Sequence, residues 1–390
     1  MFSKRTDWKL TPNAFSQAQQ EVLAAGTEVL DLTASNPTRV GLSYDADTIL
    51  SSLSHPDSMD YDPQPKGMLA ARKAVAEYYR QAHDAFGVDA ENIILTTSTS
   101  EAYSYIFRLL CNPDDAILVP KPSYPLFEFL ADLQDVRLVS YPLIYDHGWH
   151  IDFPSLYKAV DHRTRAVIVV HPNNPTGSYV GADEQGSLNS FCREYDLAIV
   201  ADEVFLDFAH DGAPRPTFAA NHKVLTFTLS GLSKISGLPQ MKVAWMATSG
   251  PPDHVDAALP RLEVIADTFL SMNAPLGLAA PVLLEQRKNF QSLLLDRLRA
   301  NLEELDRELA KQSKTTRLEL DGGWYVVLRV PVAQTDEELA IDLLRKCAVL
   351  VHPGHFYDFP ADGYLIVSLI TPTDQFRDGI RRILEVVEAL

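Results

Sequence analysis

Seven short stretches, 92–95, 116–119, 137–140, 166–170, 197–201, 224–229 and 243–248, dominate what this chain can fold into. Most are nearly continuous apolar runs, the pattern of strands buried on both faces of a mostly parallel sheet. Amphipathic stretches at 68–85, 100–110, 124–133 and 183–195 fall between them and read as helices. Alternating strands and helices predict an α/β fold with a mostly parallel central sheet.

The last third changes character. A long helical pattern over 278–313 precedes a strand at 323–330, a helix at 336–346, a strand pair at 349–351 and 364–369, and a closing helix at 374–389. That is a smaller α+β unit. Residues 1–44 carry no core of their own and are expected to pack onto it. The expected division is therefore a large domain at 45–275 and a discontinuous small domain at 1–44 and 276–390.

Three loops at strand ends carry chemistry. His171-Pro-Asn-Asn-Pro-Thr-Gly177 follows the run 166–170, and its prolines end the strand in a rigid loop. Ligands of α/β sheets bind at that edge. Ala201-Asp202-Glu203 follows residues 197–200, and Ser230-Gly-Leu-Ser-Lys234 follows 224–229. Taken singly, these are a turn, a helix cap and a surface lysine. Partial burial of Lys234 would lower its pKa and free a nucleophilic amine.

Read in order, the motifs resemble the class I/II aminotransferases of the fold-type I pyridoxal 5'-phosphate (PLP) superfamily. The resemblance is carried by Ser35-Asn-Pro-Thr38, Tyr61, Gly67, Arg72, Thr97-Ser-Thr-Ser-Glu-Ala102, Pro122-Ser-Tyr-Pro125, Asn173-Asn-Pro-Thr-Gly177, Asp202, Ser233-Lys234, Gly322-Gly323 and His352-Pro-Gly354. It implies a three-layer fold with a smaller α+β domain, and an enzyme that moves an amino group from an amino acid or amine to a 2-oxo acid. It also implies Lys234 as the Schiff-base lysine and proton carrier, and Asp202 as partner of the pyridinium nitrogen. Asn174 would face the phenolic oxygen, and Tyr124 would stack on the ring. Thr99 and Ser100 would hold the phosphate, with Ser230 or Ser233 supplying a further cofactor-binding hydroxyl. Tyr61 would reach the phosphate of a neighbouring subunit, so a homodimer with shared sites is expected. Asn36 would lie near the substrate.

Four departures from that pattern stand out. Phe205 replaces a tyrosine that donates to the phenolic oxygen. Lys242 replaces a phosphate-binding arginine and offers a point charge without a fork. Gly231 stands where a hydroxyl is usual. Ile366 stands where most relatives bind the substrate α-carboxylate with arginine, leaving Arg329 or Arg39 as possible substitutes. Residues 262–286 contain no arginine, which argues against a dicarboxylic substrate. His352, His355, Trp324 and Phe356 are expected near the substrate.

A PLP-dependent lyase or decarboxylase on the same frame is the alternative reading, and a non-catalytic PLP-binding protein a third. The formal charge of −18 argues against nucleic acid as a partner. The three unclustered cysteines, Cys111, Cys192 and Cys347, suit a reducing compartment. No run approaches the ~20 apolar residues of a membrane span, so the expected location is the cytoplasm.

Overall fold

The computed structural model describes residues 1–270 and 272–390; Ser271 lies outside the described residues. Near the N-terminus, the helix Ala14–Ala24 precedes a two-residue strand, β1 (Leu30–Asp31). The large sheet follows: β2 (Ile93–Thr96), β3 (Ala116–Lys121), β4 (Arg137–Tyr145), β5 (Trp149–Ile151), β6 (Thr164–Val170), β7 (Ala198–Asp202), β8 (Thr226–Gly231) and β9 (Ala244–Ser249). Their spatial order is β2-β9-β8-β7-β6-β3-β4-β5. β4, β3, β6, β7 and β8 run parallel. β9 runs against both β8 and β2, so β2 points the same way as the parallel set.

Alternate residues of these strands feed opposite layers. Ile117, Ile168, Val200, Phe227 and Met246 pack on one face with Tyr103 and Ile106 of the helix Thr99–Leu110 and Leu262 of the helix Pro252–Thr268. On the other face, Leu118, Val167 and Ile199 meet Leu188 and Phe191 of the helix Ala182–Tyr195. Trp245 and Leu95 meet Val75 and Tyr79 of the helix Leu69–His83 on the third cluster. A strand two-sidedly apolar in sequence is thus buried from both sides, and the fold is the expected three-layer α/β arrangement.

The smaller unit contains β10 (Thr316–Arg317), β11 (Tyr325–Arg329), β12 (Val349–Leu350), β13 (His352–Pro353) and β14 (Tyr364–Ser368). Its antiparallel sheet has the order β10-β11-β14-β13, and β12 pairs instead with β1 in parallel. The expected strand pair at 349–351 and 364–369 is therefore a different pair: His352 and Pro353 lie opposite Ile366 and Leu365. The expected long helix is two, Ala274–Glu285 and Arg287–Leu309. Its ladder breaks at Gln286, beside which the buried Arg287 turns back onto the Leu284 carbonyl and over the Tyr78 ring. The helix Pro252–Thr268 is masked in sequence by Pro251, Pro252 and Pro260. Among the described residues no helix is long and apolar enough to cross a membrane.

Candidate active site

Five strand ends converge on one edge of the large sheet. β2 ends at Thr96, β3 at Lys121, β6 at Val170, β7 at Asp202 and β8 at Gly231. A cavity of about 220 Å³ opens there. Each strand end delivers part of the lining: Thr99 after β2, Tyr124 after β3, Asn174 after β6, Asp202 at the end of β7 with Phe205 just beyond it, and Ser233 and Lys234 after β8. The continuity of apolar residues in each strand is what carries these polar groups to a common edge.

Lys234 sits in a four-residue helix, Leu232–Ile235, that begins as β8 ends. Its Nζ donates to the Ser35 carbonyl at 3.3 Å and lies 4.8 Å from the Trp324 ring centre and 5.6 Å from that of Phe205. Enclosure by these groups lowers its ammonium to about 8, while the charge of Asp202 works in the opposite direction. An amine at that value has a substantial neutral fraction near neutrality, as a nucleophile or proton carrier requires.

Asp202 is buried, and burial raises its carboxyl to about 6. Two donors and Lys234 limit the rise. The Val204 N–H reaches Oδ1 at 3.2 Å, and the Tyr103 hydroxyl reaches Oδ2 at 3.1 Å. No helix starts after Asp202, so it is not a helix cap. Tyr103 escaped the sequence reading. Its signal is its place four residues after Thr99, which puts it on the same helix face.

At another wall, the Ser98 side chain caps the helix Thr99–Leu110 by accepting from Glu101 N at 3.2 Å. The free N–H groups of that first turn and the helix dipole make an anion-binding end beside Thr99. Ser100 is the next residue of this turn. Asn174 is buried and its Oδ1 has no hydrogen-bond partner. A buried amide oxygen without a partner is costly, and here it belongs to a residue that lines the cavity. Cation end, acid end, amide and anion end fit a small phosphorylated ring with a carbonyl: PLP fits this residue set.

Not every expected residue arrives. Arg329 is exposed at the far end of β11; Tyr325 of the same strand lines the cavity, and four residues of strand carry Arg329 roughly 13 Å onward. It is not among the residues that line the cavity. Arg39 is exposed as well. Asn36 is exposed and spends its side-chain oxygen on Thr38 N and Oγ1, capping a 3-10 turn, while the neighbouring Ser35 lines the cavity instead. Lys242 is exposed with φ +51, outside the lining. Tyr61 is 81% exposed and also outside it. Ile366 is fully buried between Val327 and His352. Trp324 is a buried wall beneath Lys234, whereas His352 bonds Tyr357 at 3.1 Å and Phe356 packs on Phe15, both away from the lining. Among the described residues no arginine lines the cavity.

A family model described as aminotransferase class I and II matches residues 50–383. Glutamate-pyruvate aminotransferase AlaA of Haemophilus influenzae is 25% identical over 366 residues, covering 92% of this chain and 90% of its own length. Alanine aminotransferase of Mycobacterium tuberculosis is 27% identical over 352 residues, covering 88% of this chain and 81% of its own. The solved structure of alanine aminotransferase from Pyrococcus furiosus superposes with a TM-score of 0.89 over 100% of both chains at 21% identity, which shows a shared fold.

Proposed function

Since the chain belongs to the class I and II aminotransferases, a family that uses PLP, we propose that it transfers an amino group from an amino acid or amine to a 2-oxo acid, with Lys234 as covalent anchor of the cofactor. The observation that carries this reading is the facing of Lys234 and Asp202 across one cavity, the amine lowered to about 8 and the acid raised to about 6.

PLP, when bound, supplies an electron-withdrawing ring that takes up the electron pair left by a broken substrate C–H bond. Asp202 would hold the ring nitrogen's proton, and Tyr103 would hold Asp202. Asn174 would face the phenolic oxygen and Tyr124 the ring face. Thr99, Ser100 and Ser233 would hold the phosphate. Lys234 Nζ would take a proton from a substrate carbon beside nitrogen and return one. Trp324 and Phe205 keep water from that amine.

The exposure of Tyr61 and of Met59, at 89%, supports a homodimer in which Tyr61 reaches a neighbouring copy. The division into a large unit (45–275) and a small one (1–44 with 276–390) remains part of the proposal. It is supported by Phe15, Leu32 and Val40 sharing a core cluster with residues beyond 290. Against an exact boundary at 275, the helix Ala274–Glu285 packs Leu283 into the cluster of the helix Leu69–His83.

Borohydride reduction of the cofactor-loaded protein, followed by peptide mass spectrometry, tests the anchor. The cofactor's mass should remain on the peptide holding Lys234; its appearance on another lysine would refute the assignment. An amino-donor panel tests the reaction, since a transaminase leaves the cofactor in its aminated form. The absence of an arginine from the lining favours a second reading, a lyase or decarboxylase. Single turnovers that return the cofactor unchanged would select it.

A further inference from the structure

Behind Lys234, away from the cavity, lies a polar cluster that the proposed chemistry does not use. His83 ends the helix Leu69–His83, and Asp207 lies in the turn after β7; their side chains are 3% and 5% exposed. His83 Nε2 is 2.9 Å from Asp207 Oδ1, and its Nδ1 is 3.1 Å from the Arg215 carbonyl oxygen. Nδ1 faces a carbonyl and Nε2 a carboxylate, with the Tyr78 hydroxyl also 3.0 Å from Nε2; a doubly protonated ring serves both acceptors and pairs as a cation with Asp207. Burial is the largest single influence and works against the proton, but the hydrogen bond and charge of Asp207, the charge of Glu203 and the Arg215 carbonyl together raise the imidazole above its ordinary value. The Tyr78 hydroxyl also donates to Asp207 Oδ1, at 2.8 Å.

The other carboxylate oxygen leads toward the site. Gln291 Nε2, on the helix Arg287–Leu309, donates to Asp207 Oδ2 at 2.5 Å. The same nitrogen donates to the Ile235 carbonyl at 3.0 Å. Ile235 is the residue after Lys234 in the four-residue helix. A helix of one turn has no stability of its own and keeps its place through tertiary ties. A charge-assisted hydrogen bond is a strong and directional tie. Breaking one partner of a buried ion pair is strongly destabilising, so the anchor itself is firm.

We propose that His83, Asp207 and Gln291 are positioning residues that pin the Lys234-bearing helix and so hold the lysine amine in its apolar niche over Trp324. The inference rests on Lys234 being the reactive amine of the proposed function. Its test reads the amine itself, so failure of one is distinguishable from failure of the other.

The test is competitive labelling of Lys234 with an amine-reactive ester as a function of pH. It is read by peptide mass spectrometry on the full-length, cofactor-free chain and on Gln291→Met and Asp207→Asn. The wild-type labelling midpoint is expected near 8. Loosening the helix admits water to the ammonium, so the midpoint should rise by about one pH unit in Gln291→Met, toward the ordinary lysine range. The half-buried Gln291 tolerates methionine's similar shape, which keeps the test usable if Asp207→Asn fails to fold. A Gln291→Met midpoint that is unmoved, or lower, overturns the proposal, even if the melting temperature falls. Cofactor trapped on another lysine with the midpoint shift intact would overturn Lys234 as the cofactor's anchor and leave the positioning role of His83, Asp207 and Gln291 standing.

Discussion

Tyr103→Phe would expose how the site pays for keeping Asp202 charged. The hydroxyl donates to Asp202 Oδ2 at 3.1 Å, and only the Val204 N–H serves the other oxygen, at 3.2 Å. Phenylalanine keeps the ring against Phe127 and Phe107, 5.4 and 6.0 Å between centres, and removes the donor alone. A hydrogen bond to a charged group contributes about 1.5–3 kcal/mol. The protonated acid keeps part of it, so about 1.4 kcal/mol separates the two protonation states, or one pKa unit. Asp202 stands at about 6 in the fold against an ordinary 3.8. A carboxyl raised in the fold binds its proton more tightly folded than unfolded. Its contribution is therefore best at low pH and is lost as pH rises through the folded value. At neutral pH the ionised Asp202 costs the fold about 3 kcal/mol, and the variant adds about 1.4. Urea unfolding at about pH 8 and about pH 5 should show that gap at the higher pH and little of it at the lower. The acid limb of the kcat/KM profile should move up by about one unit as well. A stability gap that is the same at both pH values, or acid limbs that coincide, would refute the reasoning.

Three further outcomes are expected. Asn174→Ala removes a buried oxygen that has no partner. The cofactor-free chain should keep its stability within about 0.5 kcal/mol, while PLP dissociates about tenfold more readily in an absorbance titration. Phe205→Tyr adds a hydroxyl beside the site, on a ring that packs edge-on to Trp324 at 5.1 Å. The visible spectrum of the loaded wild type should titrate with a midpoint above neutral, and the variant's should fall by about one pH unit, because a second donor favours the phenolate. Gly237→Ala places a Cβ about 2.2 Å from Phe290 Cε2 at a residue with φ +65. Denaturant melts should show a loss of about 2–4 kcal/mol.

Much of the frame was legible in the chain because burial on both faces of a strand writes itself as an unbroken apolar run. The runs that became β2, β3, β6, β7 and β8 could be found one by one, and so could the polar loops that end them. Lys234, Asp202 and Asn174 were legible for that reason: each lies within five residues of the end of such a run, where an α/β sheet presents its ligand edge. Arg329 was misplaced by the same local view, since a strand's spacing says which face a residue takes but not how far along the sheet the cavity lies. Val349 and Leu350 looked like partners of the strand beyond 364, yet they pair with Leu30 and Asp31. Tyr103 behind Asp202, and Gln291 between Asp207 and the carbonyl after Lys234, join segments far apart in sequence. The sequence by itself determined the sheet, its ligand edge and the loops that bring Lys234, Asp202 and Asn174 to the cavity, because those depend on local periodicity and loop chemistry. Only the tertiary structure decided which side chains hold that lysine and its acid in place, because those contacts come from packing between helices and turns that no spacing along the chain encodes.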